Sequence, residues 1–293
     1  MLAAALTPFD AAGEPDASML IEHCRALLDE GCDGLVILGT TGEANSLTVK
    51  QRERLAERLI AGGIEPRRLV VGTGCSATGD TVRLSKHALS LGICRLLQLP
   101  PFYYKGVSDD GLFQAFARCI ERIGDQRARI ILYLIPQLSG VELSADLIER
   151  LHAAFGATIA GCKDSAGDWA QTEALCRRLA AKLDIFVGSE RWLREALAAG
   201  AVGCVSATAN VNAAAIAALY RRLTREADAA DRSVIAVRTV FDAFPMIAAL
   251  KEFVARRSGD ARWRSLLPPL SPLDPDQANR LVEELARAGA SFV

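Results

Sequence analysis

Short apolar runs recur along the chain, each passing into a polar loop and then into an apolar pattern of helical period, as a repeated β-then-α unit requires. They are Leu2–Thr7, Leu35–Leu38, Leu69–Gly72, Leu96–Leu99, Ile130–Ile135, Ile159–Cys162, Ile185–Val187 and Cys204–Ser206. Eight such runs predict an α/β fold, the closed (β/α)8 or TIM barrel. Helix signals fall between them. Ser18 precedes Met19–Glu30, which Gly31 ends; Thr48 and Gln51 form a capping box; Ser108 precedes the Phe113–Ile123 stripe; Ser144, Ser189 and Asn212 open further helices. Beyond about Thr224 strand signals stop, and Val234–Val254 and Asp276–Ala288 keep helical patterns alone. The expected organisation is a barrel carrying the active site over residues 1–223 and a C-terminal helical annex over 224–293. The proline-rich stretch Leu267–Pro272 reads as a stiff connector between annex helices rather than as an SH3-type ligand.

A doubly wound open sheet is the alternative architecture. Gly72-Thr73-Gly74-Cys75-Ser76-Ala77 does match G-x-G-x-x-A after a strand, but no acidic residue closes the following strand, Arg95–Leu99, where a ribose partner belongs. The uncharged stretch Ala196–Tyr220 is long enough to suggest a membrane span, yet Gly200, Gly203, Ser206, Thr208, Asn210 and Asn212 divide it into a helix end, a strand, a polar loop and a new helix start.

Composition narrows the function classes. With 293 residues, 51% of them hydrophobic, the chain can bury a large core, and the N-terminal run reads as a first strand rather than a signal peptide. The formal net charge is −1 and the 34 basic residues are dispersed, which argues against nucleic acid or an anionic membrane as partner and for a small molecule. Eight cysteines without a C-x-x-C pair, most inside apolar runs, suit a reducing cytoplasm. The three histidines, His23, His87 and His152, lie near no cluster at ligand spacing, so no metal site is expected.

Barrel enzymes place their catalytic groups at the C-terminal ends of the strands, which directs the search to four loops. Lys163 closes the apolar strand Ile159–Cys162; an ammonium pointing into a barrel is costly, and burial favours the neutral amine that attacks a carbonyl to give an iminium electron sink. The other reading is that Lys163 pairs with Asp164 or lies outside the mouth. Tyr133, near the end of the fifth strand, suits proton relay, or serves as a core residue with its hydroxyl satisfied. Thr40 and Thr41, between Gly39 and Gly42, offer hydroxyls and N–H groups to a carboxylate, or form an ordinary turn that Glu43 braces.

These residues resemble the dihydrodipicolinate synthase and N-acetylneuraminate lyase family of pyruvate-dependent class I aldolases over essentially the whole length. Gly34-Leu35 followed by Gly39-Thr40-Thr41-Gly42-Glu43 is similar to one family signature, and Tyr133-x-Ile135-Pro136 with Gly161-Cys162-Lys163-Asp164-Ser165 to another. Thr7-Pro8-Phe9, Pro101-Phe102-Tyr103-Tyr104 and Thr208-Ala209-Asn210-Val211 fall where the family has similar segments. The resemblance implies Lys163 as Schiff-base lysine, Tyr133 as proton shuttle, and Thr40 in a hydroxyl relay completed by a tyrosine of a neighbouring subunit, here Tyr103. It implies Thr41 at the pyruvate carboxylate, Gly188 and Val205 lining the pocket, a homotetramer built as a dimer of dimers, and no cofactor beyond the covalent imine on Lys163.

Three departures bear on the second substrate. Leu138 stands where the synthase carries an arginine for a carboxylate, which counts against condensation with aspartate semialdehyde. Leu138-Ser139-Gly140 and Ser165 resemble the sialic-acid lyase form, but Glu190-Arg191 replaces that enzyme's acidic pair after strand 7. Leu134, after Tyr133, is expected to make the pocket more apolar. The leading expectation is therefore a lyase or aldolase that joins a 2-oxo acid, pyruvate first, to an aldehyde, its substrate a 2-oxo-3-deoxy acid. Dihydrodipicolinate synthase activity, a hydratase-aldolase taking an apolar or aromatic aldehyde, a sugar-acid dehydratase, a non-catalytic 2-oxo-acid sensor and a flavin-dependent barrel stay as alternatives.

Overall fold

The computed structural model describes residues 1–225 and 232–289. Eight parallel strands close into a barrel in chain order: β1 (Leu2–Ala4), β2 (Gly34–Ile37), β3 (Leu69–Gly72), β4 (Arg95–Gln98), β5 (Arg129–Leu134), β6 (Ile159–Asp164), β7 (Asp184–Val187) and β8 (Gly203–Ser206), with β1 pairing β8 to complete the ring. Around them run α1 (Ala17–Asp29), α2 (Val49–Ala61), α3 (Thr78–Ser90), α4 (Asp109–Ile123), α5 (Ala145–Phe155), α6 (Trp169–Leu179), α7 (Leu193–Ala198) and α8 (Ala209–Leu223). Three further helices follow: α9 (Arg232–Asp242), α10 (Met246–Ser258) and α11 (Pro275–Arg287).

Strand alternation sorts the side chains. On β5, Ile130, Leu132 and Leu134 belong to the core between strands and helices, while Ile131 and Tyr133 face the barrel interior with Leu2, Ala4, Val36, Leu97 and Val205. Leu134 therefore does not line the site, correcting the expectation of a more apolar pocket there: its neighbour Tyr133 points in, so Leu134 points out. A third cluster, built from Phe241, Leu250, Phe253, Trp263 and Leu281, carries Leu6 and Val211 and so ties the C-terminal helices to the barrel.

The glycines of the dinucleotide-like motif have a packing role. A Cβ on Gly72 would stand 2.0 Å from the Leu38 carbonyl oxygen, and one on Gly74 2.3 Å from the Leu99 amide nitrogen, so neighbouring backbone fills the space a side chain would need.

The Thr48–Gln51 capping box, Ser108 and Ser144 cap α2, α4 and α5 as the sequence indicates, and Ser189 caps a single 3₁₀ turn. The cap of α1 is Asp16 rather than Ser18, its carboxylate accepting from the Ser18 and Met19 N–H groups. Asn212 lies inside α8, where the backbone leaves helical angles (φ −141°, ψ 35°) and the helix restarts. The pattern Val234–Val254 is two helices meeting at a 115° bend, because Pro245 cannot continue the first. Among the described residues no single helix is long and apolar enough to cross a membrane; Ala196–Tyr220 resolves into the end of α7, β8 and α8.

Candidate active site

The C-terminal mouth of the barrel opens into a cavity of about 730 Å³. Thr40, Thr41, Tyr133, Leu138, Lys163, Ser165, Gly188 and Val205 all line it. Tyr103 does not: it is 74% exposed on the loop after β4, edge-on to the equally exposed Tyr104. Among the described residues, no hydrogen bond joins Tyr103 to Thr40 or Tyr133 within the chain.

Lys163 and Tyr133 are register partners on the adjacent parallel strands β6 and β5, so both side chains enter the barrel at one level. Lys163 is buried, with Nζ donating to Tyr133 Oη at 3.3 Å and lying 4.3 Å from that ring's centroid. Tyr133 Oη in turn lies 3.4 Å from Thr40 Oγ1. Burial pushes the Tyr133 phenol up, but the Lys163 charge and hydrogen bonds with Thr40, Lys163 and Ser165 outweigh it and hold the phenol below its usual range.

The alternative pairing of Lys163 with Asp164 is not made. Asp164 points the other way, one carboxylate oxygen accepting from the Ala166 N–H at 2.9 Å and the other from Thr172 Oγ1 at 2.7 Å. Among the described residues no carboxylate lies within ion-pair distance of Lys163. Cys162, the other neighbour, faces the outer core, where burial pushes its thiol up and keeps it protonated.

Thr40 and Thr41 sit on a turn bracketed by two residues in the left-handed region, Leu38 (φ 56°) and Glu43 (φ 55°). Side chains seldom adopt that conformation, and where they do the surroundings enforce it. The Thr41 N–H meets no acceptor among the described residues, which leaves it for a ligand. Gly188 is required by its neighbour: a Cβ there would stand 2.1 Å from Ser165 Oγ.

The sequence points to Arg191 on the far wall but not to the residues around it. Arg191 and Arg238 both bind Asp242 at 2.8 Å, and all three line the cavity beside Trp192, which stacks on Trp169 with ring centroids 5.5 Å apart. Glu190, the other residue standing in place of the lyase's acidic pair, is buried and accepts from Ser206 and Thr208, with Arg238 alongside. Leu266, just before the expected connector, and Pro269, Leu270, Ser271 and Pro272 within it form a roof. Trp192 lies in a strand-to-helix loop and so was findable, whereas nothing local marks Arg238, Asp242 or the roof as near β5 and β6.

A closed barrel whose mouth gathers a buried lysine, a phenol and two threonine hydroxyls defines an enzyme of the TIM-barrel class acting at its strand ends. The Dihydrodipicolinate synthetase family model matches residues 1–288. An uncharacterised DapA-like lyase of Chloroflexus aurantiacus is 34% identical over 99% of this chain and 98% of its own. The crystal structure of dihydrodipicolinate synthase from Agrobacterium tumefaciens C58 superposes with a TM-score of 0.91 at 34% identity, covering 98% of each chain. YagE of E. coli K12, solved in complex with pyruvate, shares the fold (TM-score 0.89, 24% identity, 99% of this chain and 98% of its own). The chain belongs to the Dihydrodipicolinate synthetase family, and it is a lyase.

Proposed function

We propose that Lys163 forms an imine with a 2-oxo acid, pyruvate first, and that the derived enamine bonds to an aldehyde or is released from one, the reaction running on a 2-oxo-3-deoxy acid. The observation that carries this reading is the line of Lys163 Nζ, Tyr133 Oη and Thr40 Oγ1, each within hydrogen-bond reach of the next. The amine adds to the C2 carbonyl, and the phenol passes a proton to the carbinolamine oxygen, which leaves as water. Loss of a C3 proton from the iminium gives the enamine, whose carbon attacks the aldehyde carbonyl; hydrolysis of the imine frees product and Lys163. The iminium is itself the electron sink, so no metal or organic cofactor is assigned a part.

In this reading the Thr41 N–H holds the 2-oxo acid carboxylate, with Gly188 and Val205 shaping that end and Ser165 and Leu138 facing the second substrate. Tyr103 completes the hydroxyl relay from a neighbouring subunit of a homotetramer arranged as a dimer of dimers, for which its exposure leaves it free. We place the protein in the cytoplasm, where its unpaired cysteines stay reduced. Leu138 and the roof favour, as a second reading, a hydratase-aldolase whose aldehyde is apolar or aromatic.

The test is incubation with pyruvate and borohydride followed by intact and peptide mass analysis. A reduced adduct on Lys163, absent from Lys163→Ala, is the expected result. No adduct in folded protein would overturn the proposal.

A further inference from the structure

The mouth of this barrel holds a second buried lysine that the proposed reaction does not use. Lys251, on α10, is completely buried and forms an ion pair with Oε1 of Glu43, which is 3% exposed. Burial pushes the Lys251 ammonium below the usual lysine range, against the opposing pull of Glu43. Removing two charges from water costs several kcal/mol per ion, so a buried pair of this kind is weak evidence for stability. Its geometry points to another use.

Each partner reaches the roof. Glu43 Oε2 accepts from the Leu267 N–H at 3.0 Å, while Lys251 Nζ donates to the Ser265 carbonyl at 2.7 Å and lies 4.2 Å from the centre of the Phe9 ring. The roof is thus gripped on either side of Leu266, which lines the cavity, just before Pro269–Pro272 cross it. At the other end, Glu43 closes the turn of Thr40 and Thr41, its own N–H donating to the Thr40 carbonyl at 3.0 Å, in a left-handed conformation that the paired carboxylate helps to enforce. One carboxylate therefore fixes both the turn that carries the hydroxyl relay and the segment that covers it.

We propose that Glu43 and Lys251 are positioning residues that hold the Leu266–Pro272 roof in register with the Thr40–Thr41 turn, and thereby set how tightly the mouth binds its substrates. The kinetic part rests on the imine reading above; the structural part stands without it.

Either single neutral substitution strands a buried charge and endangers folding, so the variant of choice is the double Glu43→Gln/Lys251→Met, which removes both charges at nearly constant volume. Two readouts are taken on the full chain: amide hydrogen exchange by mass spectrometry, and exchange of the pyruvate methyl protons in deuterated water, which follows enamine formation without an aldehyde. Peptides spanning 265–272 are expected to exchange about tenfold faster, those of β5 and β6 as in wild type, and the KM for pyruvate is expected to rise about tenfold, more than kcat falls; tenfold corresponds to about 1.4 kcal/mol. Wild-type protection of the roof with wild-type KM would overturn the proposal. So would uniform loosening of all peptides with a lowered Tm, which marks a merely structural pair. Should wild-type protein exchange no methyl protons and trap no adduct, the imine reading fails, and the roof peptides alone decide whether the pair holds the roof.

Discussion

Lys163 stands opposite Tyr133 across the β5–β6 ladder, and the 3.3 Å between amine and phenol follows from that register. A one-residue slip would turn one side chain out of the barrel, so chemistry and strand pairing are fixed together. Tyr133→Phe preserves the ring under the lysine and removes only the proton carrier. Turnover is expected to fall about 10²- to 10⁴-fold, the range for losing a positioned acid–base group. Borohydride trapping should still mark Lys163, more slowly; trapping and turnover at wild-type rates would remove Tyr133 from the relay.

The same pair makes an electrostatic expectation. With Lys163 present its charge helps hold the Tyr133 phenol below the usual range; in Lys163→Met only the hydrogen bonds with Thr40 and Ser165 are left to oppose burial, and the phenol should titrate at higher pH than in wild type. Tyrosinate absorbance, taken as a difference against Tyr133→Phe in each background, reads the change. A shift downward would contradict the assignment.

Gly188→Ala forces Ser165 to move, since the new Cβ would meet Oγ at 2.1 Å. Overpacking at such a site costs about 1–3 kcal/mol. Thermal denaturation should show that loss together with reduced activity.

Leu138→Arg restores a cation at the place where the family's synthase resemblance calls for one. If the second substrate binds there, condensation with a carboxylate-bearing aldehyde such as aspartate semialdehyde should improve about tenfold relative to an uncharged aldehyde, the worth of one charge-assisted hydrogen bond. An unchanged ratio, measured by product formation, would move the second-substrate site away from Leu138.

His23 gives a pH dependence of stability. Burial lowers its pKa to about 4, the hydrogen bond with Asn210 opposing and Arg257 adding to the shift. The unfolded chain takes up the proton near the ordinary value of 6.5, so the stabilisation is complete above that pH and is lost as pH falls through the window from 6.5 to about 4. The difference amounts to roughly 3 kcal/mol. His23→Gln should flatten this part of the Tm profile; an unaltered profile would place its origin elsewhere.

All eight strands were legible because parallel strands covered by helices are buried on both faces and so read as unbroken apolar runs. The residues that converge on the mouth were legible for a related reason: a strand fixes where its last side chain points. Arg238, Asp242 and the roof were not, because they reach the cavity through α9, α10 and their connector, and periodicity within an element says nothing of what that element covers. Leu134 misled by being counted as a neighbour of Tyr133 when alternation separates them. Val234–Val254 misled because apolar positions stay helical in phase across Pro245, although the axis turns there by 115°.

The roof has a further consequence. Lys163 and Tyr133, the pair assigned to the 2-oxo acid's reacting carbon, come from strands locked in a closed ring, where altering one strand disturbs two ladders. The covering segment Leu266–Pro272 belongs to no strand and lies in the connection between α10 and α11. On the proposed reading, the residues that cover the second substrate can therefore vary while the reacting end stands still, and swapping residues 266–272 between family members, with Glu43 and Lys251 retained, becomes a route to altered substrate choice that leaves the barrel untouched.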